Sequence, residues 1–176
     1  MTLKHFSTLA VIGMLTAGIA SAQQDTATKT KTSQTLPSVN LKTMDGKPVN
    51  IQDYGKTGKI TVISFWATWC GPCVKELNNI NEVYEQWQKD YNLDVIAVTI
   101  DDSRNTLKVK PMVNGFGWPY IILLDENKDL ARAMNVNNPP QTFLLDANGN
   151  IVYSHVGYTE GAEFDLEKEI KKLVTH

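Results

Sequence analysis

Cysteine is the scarcest reactive residue of this sequence, with two in 176 residues, and histidine follows with three. A structural zinc site takes four nitrogen or sulfur ligands, so Cys70 and Cys73 would need both His155 and His176 to complete one. His155 lies in a strand pattern among polar neighbours and reads as part of a solvated face rather than as a ligand. An excess of positive charge is missing too: 17 basic residues stand against 19 acidic ones, a net of −2. Nothing in that balance recruits nucleic acid or an anionic membrane surface. The most extended apolar run, Phe6 to Ile19, has 14 residues, short of the ~20 that span a bilayer. No internal repeat and no second domain is visible.

That run belongs to a short leader. Lys4 gives a positive start and Ala20-Ser21-Ala22 an A-x-A cleavage signature, so residues 1–22 are expected to be a secretory signal peptide. An uncleaved membrane anchor is the alternative, and a lipoprotein is excluded because no cysteine lies near the cleavage site. Cleavage leaves 154 residues, one domain's worth, with 16 basic and 19 acidic side chains. Residues 23–35 are polar and aperiodic, the composition of a disordered tether, and the folded domain is expected over 36–176. Its location is expected to be periplasmic or otherwise exported, where a dithiol meets an oxidising compartment and needs a dedicated redox partner.

The remaining pattern alternates strands and helices. Val39, Leu41, Val49 and Ile51 alternate with polar residues around Asp45-Gly46, which predicts an N-terminal β-hairpin. Ile60–Trp66 reads as a buried strand, and Leu77, Ile80, Tyr84, Trp87 and Tyr91 recur at helical spacing after it. Residues 93–100 suit a strand buried on both faces. Residues 103–116 predict a helix capped by Asp102 or Ser103, kinked by Pro111, with Leu107, Met112, Val113 and Phe116 inward. A strand over 120–124, a short helix over 128–134, an antiparallel pair over 143–145 and 151–153, and a last amphipathic helix carrying Ala162, Leu166, Ile170 and Leu173 complete the chain. The fold class is α/β, a mixed sheet with helices on both faces.

The two cysteines fall where the first long strand gives way to its helix, in Trp69-Cys70-Gly71-Pro72-Cys73. A thiolate at Cys70 would face unpaired N–H groups and the positive end of the helix dipole, which favour the charged form. Cys73, about one turn on, is close enough for a disulfide and more shielded. Cys70 is therefore the candidate nucleophile and Cys73 the resolving thiol. The C-x-x-C alone leaves redox, zinc and structural readings open; the strand before it, the helix after it and the flanking Trp66 and Trp69 favour redox. Peroxidase chemistry fails a direct check, because Ile63 and Ala67 stand where a P-x-x-x-T-x-x-C motif needs proline and threonine.

Phe65-Trp66-Ala67-Thr68-Trp69-Cys70-Gly71-Pro72-Cys73 resembles the active-site stretch of thioredoxins, and most of all that of exported TlpA/ResA-like proteins. The segment Leu41-Lys42-Thr43-Met44-Asp45-Gly46-Lys47-Pro48-Val49 is similar to their N-terminal hairpin, and the resemblance runs from about Pro37 to Val174. It implies a thioredoxin fold with a central mixed sheet. It further implies that Pro140, in Pro139-Pro140-Gln141-Thr142-Phe143, is a cis-proline opposite the C-x-x-C; a trans-proline loop is the alternative. That loop, with Trp69, Gly71 and Pro72, would line a groove where an extended client adds as a strand. Pro139 has no N–H to offer such a client. Glu76 matches the Glu of a C-x-x-C-x-x-E pattern and so would accept the proton of Cys73, unless it only complements the helix dipole. Two positions depart from the families: Ser64 stands where thioredoxins carry a buried Asp, and Asn78 where a proline bends the helix, with no evident chemical loss. Trp66 reads as core and Trp69 as site rim.

The expected protein is an exported, monomeric thiol-disulfide oxidoreductase with no bound cofactor or metal. It would exchange disulfides with protein thiols, be recharged by an upstream electron donor and touch a membrane only through a retained N-terminus. Reduction of extracytoplasmic substrates, cytochrome c maturation clients among them, is the expected direction. A disulfide-forming oxidant or isomerase is the alternative within enzymes, and a thiolate metal carrier the alternative outside them.

Overall fold

The computed structural model of the protein describes Met1 and residues 34–174. The expected signal peptide and most of the tether lie outside the described residues, Met1 apart. Eleven elements follow in the order β1 (Asn40–Thr43), β2 (Pro48–Asn50), β3 (Ile60–Trp66), α1 (Gly71–Tyr91), β4 (Leu93–Thr99), α2 (Val109–Phe116), β5 (Ile121–Leu124), α3 (Asp129–Ala133), β6 (Gln141–Leu145), β7 (Ile151–Val156) and α4 (Ala162–Val174).

The seven strands form one sheet in the order β2-β1-β5-β4-β3-β6-β7. β3, β4 and β5 run parallel, joined by crossovers that carry helices, while the β1–β2 hairpin and the β6–β7 pair add antiparallel edges. β3 is buried along its whole length, as a central strand covered on both faces must be, and Ile63, Phe65 and Trp66 are wholly enclosed. α1 turns Cys73, Glu76, Leu77, Ile80, Tyr84 and Trp87 inward at three- and four-residue steps. It ends where Asn92 takes a left-handed conformation, φ 49°. The Tyr91 hydroxyl, bonded to Glu167 at 2.8 Å, joins α1 to α4.

Several boundaries differ from the sequence reading. The helix expected over 103–116 is a 3₁₀ turn, Thr106–Lys108, followed by α2 from Val109. Pro111 is thus the third residue of α2, where a missing N–H leaves no intrahelical bond unmade. Asp102 holds the bend ahead of the turn instead, its Oδ1 accepting N–H bonds from Arg104 and Asn105 at 3.1 and 3.0 Å, and the turn itself has no side-chain cap. Leu107, displaced onto that turn, is 82 % exposed, and Phe116 is half in solvent, stacked on Trp118 with centroids 5.2 Å apart. Val113 is buried as expected. The strand expected from Tyr120 begins at Ile121.

Two residues of the expected tether, Gln34 and Thr35, join the sheet. The Gln34 carbonyl accepts the Ile151 N–H at 2.7 Å, Thr35 bridges to Asn150, and Leu36 is buried. This seam lies beside the β6–β7 turn. Because Leu145 pairs with Thr61 near the start of β3, the turn and residue 34 sit at the end of the sheet away from the dithiol, about 20 Å off at ~3.3 Å per strand residue.

Gly149 holds the turn at φ +80°, and its Cα packs against Gly55 so closely that an added Cβ would overlap the Gly55 carbonyl. Gly149→Ala is therefore expected to cost about 2–5 kcal/mol, combining left-handed strain of ~1–2 kcal/mol with overpacking of ~1–3 kcal/mol. A denaturant midpoint unchanged from the wild type would contradict this packing.

Candidate active site

α1 begins at the dithiol. Cys70 is its N-cap, with extended backbone, and Pro72 occupies the first turn, where it displaces no hydrogen bond. The Cys70 sulfur accepts the Cys73 N–H at 3.3 Å, so a helix-terminal donor is already aimed at it. Cys70 and Cys73 are joined as a disulfide with Cα atoms 5.3 Å apart. Cys70 keeps 7 % of its surface and Cys73 none. The nucleophile candidate is therefore more covered than the sequence reading supposed, although the order of the two is as expected. Trp69, 61 % exposed, forms the rim, and Trp66 is core, edge-on to Trp118 at 5.1 Å.

A buried acid fixes the loop between β3 and Cys70. Asp101, wholly enclosed just past β4, accepts the Thr68 N–H at 2.8 Å, the Thr68 hydroxyl at 2.9 Å and the Thr99 hydroxyl at 2.6 Å. The Ile100 N–H reaches the Trp66 carbonyl at 2.9 Å. On the other side of β3, the Pro139–Pro140 peptide bond is cis. Gln141 pairs with Phe65, which places Pro140 at the same end of β3 as Cys70. The Pro140 carbonyl accepts the Gly157 N–H at 2.8 Å.

Glu76 lies one turn beyond Cys73 and is buried. Its Oε1 accepts the Thr142 hydroxyl at 2.8 Å and meets His155 Nε2 at 3.0 Å, while Oε2 accepts the Ser64 hydroxyl at 3.3 Å. The reading of His155 as a solvated face is thus overturned. β7 alternates, and His155 falls on the inward side with Ile151 and Tyr153; that period of two was the signal in the sequence. Asn78 has a use as well: its Oδ1 accepts the Trp118 indole N–H at 2.8 Å. Thr142, Asp101 and His155 went unnoticed as site residues because their partners are remote in sequence.

Beside the dithiol a cavity of about 680 Å³ is lined by Gly71, Pro72, Lys75, Asn79, Tyr158 and Glu160. Asn79 donates to the Tyr158 hydroxyl across it at 2.6 Å, and burial pushes the Tyr158 phenol upward from its ordinary pKa.

Comparison with known proteins agrees with this geometry. The Redoxin family model matches residues 31–170. The thiol-disulfide oxidoreductase ResA of Bacillus anthracis is 30 % identical over 137 residues, covering 78 % of this chain and 75 % of its own. The thioredoxin-like protein YneN of Bacillus subtilis is 32 % identical over 140 residues, 78 % of each chain. Among solved structures, a thioredoxin-like protein from Porphyromonas gingivalis is 49 % identical, with a TM-score of 0.72 over 80 % of this chain and 94 % of that one. A thioredoxin-family thiol:disulfide interchange protein from Chlorobium tepidum is 27 % identical, with a TM-score of 0.64 over 80 % and 96 %. With a family match over residues 31–170 and a Cys70–Cys73 disulfide at the cap of α1, the chain belongs to the Redoxin family and is a ResA-like thiol-disulfide oxidoreductase.

Proposed function

We propose that the protein is exported and reduces disulfides in extracytoplasmic proteins, including cytochrome c maturation clients, through Cys70 and Cys73. The observation that carries this reading is the asymmetry of the two sulfurs: one caps a helix with a residual opening to solvent, and the other is enclosed on the same helix face as a buried carboxyl group one turn on.

In the reduced protein the Cys70 thiolate, favoured by the helix N-terminus, attacks a client disulfide. One client thiolate leaves and a mixed disulfide forms on Cys70. Glu76 takes the proton of Cys73, whose sulfur then attacks Cys70 Sγ. The Cys70–client bond breaks, the second client thiolate departs with the electron pair and takes a proton from water, and the Cys70–Cys73 disulfide closes. No bound cofactor is needed, because both electrons travel between sulfurs; an upstream dithiol donor returns them. The client lies along Trp69, Gly71, Pro72 and the Pro139–Pro140 loop as an added strand, bonded to the carbonyl alone at Pro139. The Gly-Pro between the cysteines, as in thioredoxin, supports the reducing direction.

Four outcomes check this. The reduction potential should fall below about −220 mV, on the thioredoxin side of the range, and a value near −120 mV would assign an oxidant instead. Cys70 should alkylate well before Cys73 near neutral pH, and Cys73→Ser should accumulate mixed disulfides with clients; a faster Cys73 would reverse the roles. Glu76→Gln should slow release of the mixed disulfide about 100-fold at neutral pH with the fold intact, the lower end of the range for a lost proton acceptor. Protein recovered from the exporting cell should begin at Gln23, and retention of Met1 would point to an anchor.

A further inference from the structure

Among the described residues, Glu76 is the only acidic side chain on the buried face of α1. The polar partners of its carboxyl group come from three adjacent strands. Ser64 on β3 pairs across the ladder with Thr142 on β6, and Thr142 pairs with His155 on β7. The three side chains thus form a row from the centre of the sheet to its edge strand, with Glu76 set against the row. The side chain of Glu76 is 2 % exposed and that of His155 18 %. Serine and threonine hydroxyl groups neither lose nor gain a proton outright near neutrality, whereas an imidazole can. Beyond Glu76, His155 lines a surface cavity of about 260 Å³ with Tyr153, Tyr158, Thr159 and Asp165. Of the three partners, only His155 carries a nitrogen able to take up a proton and also opens to solvent.

We propose that His155 is the positioning residue that clears Glu76 for its work, by taking the proton of the buried carboxyl group and passing it to solvent. A carboxyl group that already holds a proton cannot accept the one on Cys73. In the outlet step His155, as the Nδ1–H tautomer, takes the proton of the Glu76 carboxylic acid on Nε2 and releases its Nδ1 proton to water, so that the new Nε2–H donates to the carboxylate. One proton leaves, no electron moves, and the carboxylate stands ready before Cys73 gives up its own proton. This rests on the reading of Glu76 as proton acceptor given above.

The surrounding groups leave that task to His155. Tyr120, on the side of β5, donates to the Leu77 carbonyl, and burial holds its phenol far above the usual range. Burial also raises the phenols of Tyr153 and Tyr158, with Glu169, Asp165, Glu163 and Glu160 adding to it. From α4, Asp165 is paired with Lys168 at 2.7 Å and Glu169 with Lys172 at 2.6 Å.

The test reads the Cys73 step alone. Mixing reduced protein with dithiobis(nitrobenzoate) liberates one thionitrobenzoate as Cys70 attacks and a second as Cys73 displaces it; the second phase is followed from pH 5 to 9. His155→Gln keeps an N–H facing the carboxylate but accepts no proton. Its second phase should be about tenfold slower at pH 7, with the profile displaced about one pH unit to the alkaline side and the wild-type rate regained at the high-pH plateau. A superimposable profile, or an equal loss at every pH, overturns the proposal. If Glu76→Gln is slow and His155→Gln is not, His155 alone loses its role; if neither is slow, the reading of Glu76 falls as well. Should the variant misfold, nitrogen NMR of histidine-labelled wild type decides: the His155 ring should titrate over the pH range in which the second phase rises, and a ring that does not titrate between pH 5 and 9 ends the proposal.

Discussion

A carboxyl group enclosed beneath a helix is tolerable only if donors surround it, and Glu76 imposes that condition on four elements at once. Ser64, Thr142 and His155 reach it from consecutive strands, so β3, β6 and β7 are bound to one register. A slip of one residue in β6 or β7 would turn Thr142 or His155 to the opposite face and strand the carboxylate without its bond. The same contacts fix where α1 rests on the sheet. Because Cys73 and Glu76 share one helix face three residues apart, fixing Glu76 also fixes the enclosed sulfur.

The other side of the dithiol is held by a second buried acid. Asp101 grips the backbone and hydroxyl of Thr68 and the hydroxyl of Thr99, so the loop that delivers Trp69 and Cys70 is tied to the end of β4. Further along α1, the indole N–H of Trp118 closes on Asn78, and Phe116 and Trp66 pack against the same ring. The reactive bond thus sits between two polar anchors and an aromatic wall, each from a different part of the chain.

The local features were legible in the sequence. Apolar runs announced β3 and β4, helical spacing announced α1, and Gly-Pro between two cysteines announced the cap. What needed the fold was register. The bonds from Glu76 to Thr142 and His155 span 66 and 79 residues, and no local pattern ranks those partners. His155 was misjudged because its polar neighbours outweighed its place in the alternation of β7. Leu107 and Phe116 were misjudged for a related reason: a 3₁₀ turn ahead of α2 rotated the apolar positions away from the face that an unbroken helix would have buried.

The seam between Gln34 and Ile151 sets where the described chain begins in the fold. The described chain enters the sheet at the pole opposite Cys70. A substitution at Gln34 or in the β6–β7 turn therefore meets the whole enclosed length of β3 before it meets the sulfurs, and the two ends of that strand can vary independently of one another.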